Sequence, residues 1–361
     1  MDRLSKLRNI MRREDVDLVA TGPGAHLTWL TGLRPHADER PLLFCVTQTE
    51  CGFLMPALEA DSARQHTDLP FFEWADADGP DAAFDRLLQH VEATGAGSIA
   101  LDESMRADFA ALIQEALPAA RRQFSTRTIG ALRMRKDDQE YKLLKHNAQT
   151  ADIAMQAAWA AMKPGMAETE IGDVIKASFT AQGVKPLFGI IGAGGNGAFP
   201  HHQTGDTVLH SGDAVVMDIG GTSNGYSSDI TRMAVLGPAP DGYDAVHETV
   251  DRAVRAALAA ARPGVRASAV DHAARQVITD AGYGPYFVHR TGHGLGTEVH
   301  EPPYITASSD TELDEGMVFS IEPGIYLPGR FGIRLEEIVI LRADGPEILS
   351  DLPRDVVVID G

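Results

Sequence analysis

Two stretches decide the fold: Gly212-Asp213-Ala214-Val215-Val216-Met217-Asp218-Ile219-Gly220 and, 104 residues later, Gly316-Met317-Val318-Phe319-Ser320-Ile321-Glu322-Pro323-Gly324. Each is a glycine turn, an apolar run of strand length, and a carboxylate at its far end. A second pair lies upstream at an offset of 99: Lys163-Pro164-Gly165 and Arg262-Pro263-Gly264 each open a helical pattern. In it Ile171, Ile175 and Phe179 are mirrored by Val270, Ala274 and Ile278, and Gly183 by Gly282. Taken singly, Pro-Gly ahead of a helix and Gly ahead of a strand are common punctuation. Met twice in the same order, they predict an internal duplication in which each half is helices followed by a β-hairpin. Two such hairpins can face each other across a pseudo-two-fold axis, with helices covering the outside of a curved sheet.

The first hairpin carries Asp218 on its leading strand and Asp229 on a returning strand over residues 226–235. In the second, Glu322 takes the place of Asp218. Glu336 lies on a returning strand over residues 333–341, after the turn Pro328-Gly329-Arg330. Carboxylates on apolar strands are costly to bury as bare charges, so they must be paired, protonated or bound to metal. Singly, Asp218 or Asp229 reads equally well as a hairpin's solvated face, and Glu336 with Glu337 as an exposed charge run. A nitrogen ligand is available in Thr291-Gly292-His293-Gly294-Leu295-Gly296, where the glycines leave room for the ring to approach a metal. Four carboxylates and one imidazole suit Mn, Co or Fe better than a thiolate zinc site suits them. His201, His202, His289 and His300 are further candidates, although a lone histidine is more often a satisfied core or surface residue. His201 and His300 are themselves 99 residues apart, so the duplication places them at matched positions.

Outside these motifs, a chain of 361 residues suggests two domains. The first, residues 1–130, reads as a smaller α/β domain: Leu4, Leu7, Ile10 and Met11 have helical spacing, and apolar runs follow at Leu18-Val19-Ala20, residues 41–46 and residues 52–55. The second, residues 131–361, opens with a long helical pattern from Asp137-Asp138 to about Met162. Lys and Arg total 32 against 51 Asp and Glu, a net charge of −19, which argues against a nucleic-acid substrate. The N-terminus mixes charges with apolar residues rather than forming a signal peptide, and no run of about 18 apolar residues appears. A cytoplasmic protein with no membrane partner is expected. Cys45 and Cys51 read as small buried hydrophobes, and there is no CxxC motif.

Residues 130–361 resemble the pita-bread metallopeptidases, which include methionine aminopeptidase, aminopeptidase P, prolidase and, by fold, creatinase. The resemblance rests on Asp218-Ile219-Gly220 to Gly225-Tyr226-Ser227-Ser228-Asp229-Ile230-Thr231-Arg232, on His289-Arg290-Thr291-Gly292-His293-Gly294-Leu295-Gly296 with Val299-His300-Glu301-Pro302-Pro303, on Ile321-Glu322-Pro323-Gly324, and on Gly332-Ile333-Arg334-Leu335-Glu336. A shorter match, Leu18-Val19-Ala20 followed by Leu27-Thr28-Trp29-Leu30-Thr31-Gly32, resembles the extra N-terminal domain of prolidase, aminopeptidase P and creatinase, which methionine aminopeptidases usually lack.

The resemblance implies an α/β chain with a C-terminal pita-bread domain and two divalent metal ions, Mn first among Mn, Co, Fe and Zn. Asp218, Asp229, His293, Glu322 and Glu336 would be the ligands, with Asp229 and Glu336 bridging. It further implies that His201 and His300 line the substrate site and that His289 and Arg334 contact the substrate. The expected reaction is hydrolysis of the Xaa-Pro bond of dipeptides through a hydroxide shared by the ions, with Glu322 relaying a proton. Arg334 would hold the dipeptide's carboxylate or, alternatively, orient Glu336. The alternatives are an aminopeptidase P acting on longer peptides, a metal-dependent hydrolase of a small non-peptide C–N bond, and a peptide-binding module without catalysis. Prolidases of this kind are commonly dimers, and residues 34–40 are the candidate loop reaching the partner.

Overall fold

The computed structural model describes residues 2–360 and divides the chain into two compact units, Met1–Arg133 and Met134–Gly361. The first unit runs α1 (Arg3–Arg13), β1 (Leu18–Thr21), α2 (Ala25–Thr31), β2 (Leu43–Val46), β3 (Cys51–Pro56), α3 (Ala57–Ala63), β4 (Phe71–Trp74), α4 (Asp81–His90), β5 (Ser98–Leu101), α5 (Ala107–Ala116), β6 (Arg121–Phe124) and α6 (Ile129–Arg133). Its strands form one mixed sheet in the order β4-β3-β2-β1-β5-β6. Alternation along the strands sends Val19, Phe44 and Val46 to one face with α1, α2, α3 and α6, and Leu18, Ala20, Leu43 and Cys45 to the other with α4 and α5. Both faces are covered, which is why the central strands read as unbroken apolar runs. Cys45 and Cys51 are free, buried thiols on β2 and β3, and burial pushes the Cys45 thiol up to about 12.

The second unit begins with α7 (Asp138–Ala161), whose N-cap Asp137 forms a capping box with Glu140. It continues with α8 (Glu168–Ala181), β7 (Lys185–Ala193), β8 (Ala214–Ser223), β9 (Tyr226–Ser227), β10 (Ile230–Leu236), α9 (Tyr243–Ala260), α10 (Ala267–Asp280), β11 (Gly292–Gly294), β12 (Glu301–Ile305), β13 (Val318–Ile321), β14 (Gly324–Leu327), β15 (Phe331–Arg334), β16 (Glu337–Arg342), β17 (Gly345–Ile348) and β18 (Val357–Ile359). The duplication is present in three dimensions. Helices α8 and α10 have 14 residues each at an offset of 99. Ahead of them Gly165 and Gly264 adopt φ of 90° and 83°, and each donates its N–H to a leucine carbonyl, Leu209 and Leu313, at 2.8 Å. The positive φ is what reserves both positions for glycine. One half builds the sheet β18-β10-β8-β7 and the other the sheet β12-β11-β13-β16-β17.

The strands differ from the sequence reading where they matter most. The returning strand read over residues 226–235 is interrupted at Ser228 and Asp229, and the one read over residues 333–341 at Leu335 and Glu336. The leading strand of the second hairpin also stops before Glu322-Pro323, where proline supplies no N–H. At these breaks the backbone bonds elsewhere: Glu336 donates its N–H to Thr231 O at 3.3 Å, and Glu322 to Thr291 O at 2.8 Å. Leaving the ladder aims the carboxylates out of the sheet and ties the second half to the first.

Candidate metal centre

Nine of the residues singled out from the sequence, His201, Asp218, Asp229, His289, His293, His300, Glu322, Arg334 and Glu336, line one cavity of about 610 Å³, whereas His202, the remaining histidine candidate, is not in its lining and meets Glu168 instead. Its apolar wall is Phe188, Ile190, Pro200 and Val299. Asp218 projects from mid-β8, Asp229 from the β9–β10 break, His293 from the centre of β11, Glu322 from the β13–β14 break and Glu336 from the β15–β16 break. The glycines beside His293 serve a purpose other than the one expected. A Cβ on Gly292 would lie 1.9 Å from Ser320 O and one on Gly294 2.3 Å from Pro302 O, so they allow β11 to pack between β12 and β13.

Ligand atoms of Asp229, His293 and Glu336 lie within 4.8 Å of one another. His293 directs Nδ1 at Gly294 O, 3.1 Å away, and Nε2 at Glu322 Oε1 (3.1 Å) and Asp229 Oδ2 (3.8 Å). With Nδ1–H donating to the carbonyl, Nε2 is the ring's lone-pair face, and a proton or a metal ion must stand between it and the carboxylates. Three carboxylates each keep one buried oxygen without a hydrogen-bond partner among the described residues: Asp218 Oδ1, Asp229 Oδ1 and Glu336 Oε1. Burial, and then the neighbouring carboxylates, push Asp229 and Glu336 well above the usual carboxylate range. Burial acts on Glu322 in the same direction, but the His293 contact outweighs it and holds Glu322 at about 2. Buried, mutually repelling carboxylates with unsatisfied oxygens beside an imidazole lone pair are the donor set of divalent cations, and the residues present fit that group.

Around them runs a network whose polarity is fixed at Arg334, because a guanidinium only donates. Its Nη2 donates to Asp218 Oδ2 at 2.6 Å, Nε to Thr231 Oγ1 at 3.1 Å, and Nη1 to Tyr326 Oη at 2.8 Å and Pro200 O at 3.3 Å. Thr231 must then give its proton to Glu336 Oε2 (2.9 Å), and Tyr326 its proton to His289 Nε2 (2.7 Å). His289 Nδ1 accordingly donates to Arg290 O at 2.7 Å, and burial lowers this ring's pKa, in keeping with a neutral tautomer. Four of Arg334's five N–H groups are thereby engaged within the protein. The sequence reading that placed Arg334 and His289 on the substrate meets side chains already occupied, with only one Arg334 donor to spare. His300, 4.0 Å from the His293 ring centre to centre, is lowered to about 4 by burial and by its neighbour.

Thr231 and Tyr326 were not foreseen. Thr231 is two residues from Asp229 on an extended segment, and that alternation was a usable signal. Tyr326 lies 37 residues from His289, and nothing in the sequence links them.

Residues 142–343 match the model of metallopeptidase family M24, and residues 3–135 that of the creatinase/prolidase N-terminal domain. A Mycobacterium tuberculosis protein named "Probable dipeptidase PepE" is 37% identical over 93% of this chain and 90% of its own length. The Xaa-Pro dipeptidase of Pyrococcus furiosus is 32% identical over 99% of both chains. The crystal structure of dipeptidase PepE from Mycobacterium ulcerans superposes with a TM-score of 0.94 at 34% identity, covering 99% of this chain and 97% of that one. With a family model matched over residues 142–343 and relatives of this identity aligned along nearly the whole chain, the chain belongs to metallopeptidase family M24.

Proposed function

We propose that this metal-dependent hydrolase cleaves the Xaa-Pro bond of dipeptides. The observation that carries the reading is the set of unpartnered oxygens on Asp218, Asp229 and Glu336 facing a cavity of small-peptide size. The relatives' names supply the proline specificity. Asp218, Asp229, His293, Glu322 and Glu336 would hold two divalent cations, which would supply acidification of a water and polarisation of the scissile carbonyl. Glu322 takes the proton of the attacking water and delivers it toward the proline nitrogen. His201 and His300, on the cavity wall, donate to the oxygen that gains charge and to the leaving group. Arg334, through Asp218 directly and Glu336 by way of Thr231, orients ligands rather than clamping substrate. Preference for dipeptides therefore rests on cavity size and on the relatives, not on Arg334.

Mn is proposed as the resident ion, the cytoplasm as the compartment and a homodimer as the assembly, with residues 34–40 reaching the partner. No helix among the described residues is long and apolar enough to cross a membrane. Turnover of Xaa-Pro dipeptides, Xaa-Pro-Xaa tripeptides and creatine is compared with added Mn and after chelation. Dipeptides turn over fastest and chelation stops the reaction. Faster tripeptide cleavage makes the protein an aminopeptidase, and turnover of creatine alone overturns peptide chemistry. Light scattering at assay concentration reads the dimer, which a monomeric mass excludes.

A further inference from the structure

Neither His201 nor His300 has a ring hydrogen bond among the described residues, so no polar partner of its own aims either ring, although His300 packs on the His293 ring. In each case the side chain of the following residue is held by a buried or partly buried polar contact to a side chain from another segment. His202 Nε2 meets Glu168 Oε2 at 2.8 Å, where the Glu168 side chain is fully buried in the first residue of α8. The same carboxylate accepts the N–H groups of Ala193 (2.9 Å) and Gly205 (3.1 Å) and the Asn196 amide (2.9 Å), bracketing the segment that carries His201. In the other half Lys136 Nζ donates to Glu301 Oε1 at 2.7 Å, with side chains 1% and 2% exposed. Gly296 makes room for that carboxylate, since a Cβ there would lie 2.5 Å from Glu301 Oε1.

His201 sits in a turn closed by the His202 N–H to Phe199 O at 3.1 Å, and His300 in a bend directly ahead of β12, so fixing His202 or Glu301 fixes the short backbone segment that carries the preceding ring. The two anchored residues are 99 residues apart, the offset of the duplication, yet their chemistry differs. In one half an imidazole on the loop meets a helix carboxylate. In the other an anion on the strand meets a lysine just ahead of α7. We infer that His202–Glu168 and Glu301–Lys136 are paired positioning devices for His201 and His300 in the hydrolysis proposed above, on which the inference rests.

The test is His202→Asn and Glu301→Gln, each alone and combined with His201→Ala or His300→Ala, in the full-length Mn-loaded protein. Each single change lowers kcat by about 10- to 100-fold, the cost of a misplacement of order 1 Å, with KM and metal content held. His202→Asn has no further effect once His201 is Ala but its full effect when His300 is Ala, and Glu301→Gln shows the reverse. Losses that add in every background are those of merely structural pairs and overturn the proposal, as does no loss at all. Glu301→Gln leaves the Lys136 ammonium buried without its counter-charge. If that variant does not fold, Lys136→Met/Glu301→Gln removes both charges and carries the same comparison. Ring NMR signals of the metal-free protein read the cross-pattern without substrate: His202→Asn shifts those of His201 and spares those of His300. Absence of that selectivity sinks the tether. Its presence in a protein that hydrolyses no Xaa-Pro dipeptide sinks the functional reading alone.

Discussion

Each unit of this protein brings one histidine and two carboxylates within 4.8 Å of one another: His26, Asp102 and Glu103 in the first, and Asp229, His293 and Glu336 in the second. Distance does not separate the two clusters, but charge balance does. In the first, Arg133 Nη1 donates to His26 Nδ1 at 2.9 Å, which leaves the ring proton on Nε2, 3.5 Å from Glu103. Ser125 donates to Glu103 at 2.6 Å, and Ser104 donates its N–H and hydroxyl to Asp102 Oδ1. Asp102 Oδ2 has no partner, but the imidazole has no lone pair left to share with a metal. In the second cluster the imidazole's lone-pair face meets carboxylates, and Asp229 and Glu336 are pushed up by burial and mutual repulsion, whereas Glu103 is pulled down to about 2. A metal-ligand triad is thus recognised by what its charges lack, not by its spacing alone.

The largest expected effects test that distinction. Asp229→Ala and Glu336→Ala each abolish hydrolysis and reduce bound metal from about two ions per chain, whereas His26→Ala leaves metal content unchanged. Metal content by atomic emission with kcat measured alongside decides it, and an active Glu336→Ala enzyme refutes the site. Stability in chelator gives the opposite signs. Asp229→Asn removes a repelling charge and raises the melting temperature of the metal-free protein by a few degrees, while His26→Ala removes a balanced partner and lowers it.

An intermediate effect is expected at Arg334, where the second cluster borrows its one guanidinium. Arg334→Ala frees Asp218 and Thr231 together and costs about 1.5–3 kcal/mol per charge-assisted bond. That corresponds to one or more powers of ten in kcat/KM, or roughly tenfold per 1.4 kcal/mol. Dipeptides and tripeptides fall alike, and metal content falls with them. Should dipeptides fall alone with the metals retained, Arg334 is the carboxylate clamp after all.

The sequence made the duplication legible because turn glycines and helix starts are local signals: Gly165 and Gly264 need positive φ wherever their helices pack. The nine cavity residues were legible through motifs. The breaks that turn Asp229 and Glu336 out of their strands were not read, although alternation lapses at Ser227-Ser228-Asp229 and at Glu336-Glu337, because such polar runs also occur on solvated strand faces and the cross-half bond from Glu336 to Thr231 is long-range. Arg334's partners escaped for the same reason, since Asp218 is 116 residues away. In the first unit the buried central strands stood out as apolar runs, while β6, Arg121-Arg122-Gln123-Phe124, is an edge strand with mostly exposed side chains and resembles a linker.

The smallest effect is a pH dependence in the balanced cluster. Burial alone would raise Glu103, but the His26 contact and the Ser125 hydroxyl outweigh it, bringing the carboxyl from 4.5 to about 2. A carboxyl lowered by folding stabilises the native state above its unfolded value, and that contribution disappears as pH falls from about 4.5 to about 2. The side chain is 35% exposed, so solvent screening limits the contribution to about 1 kcal/mol. Glu103→Gln therefore unfolds at lower urea than the parent at pH 7, and the gap narrows through pH 4 and closes near pH 2. Fluorescence of Trp29 and Trp74, both in the first unit, follows the transition there. Comparing parent with variant at each pH cancels acid effects common to both. A gap that stays constant with pH means Glu103 contributes packing rather than charge, and the contrast between a carboxylate the fold satisfies and those it leaves unsatisfied then loses its first member.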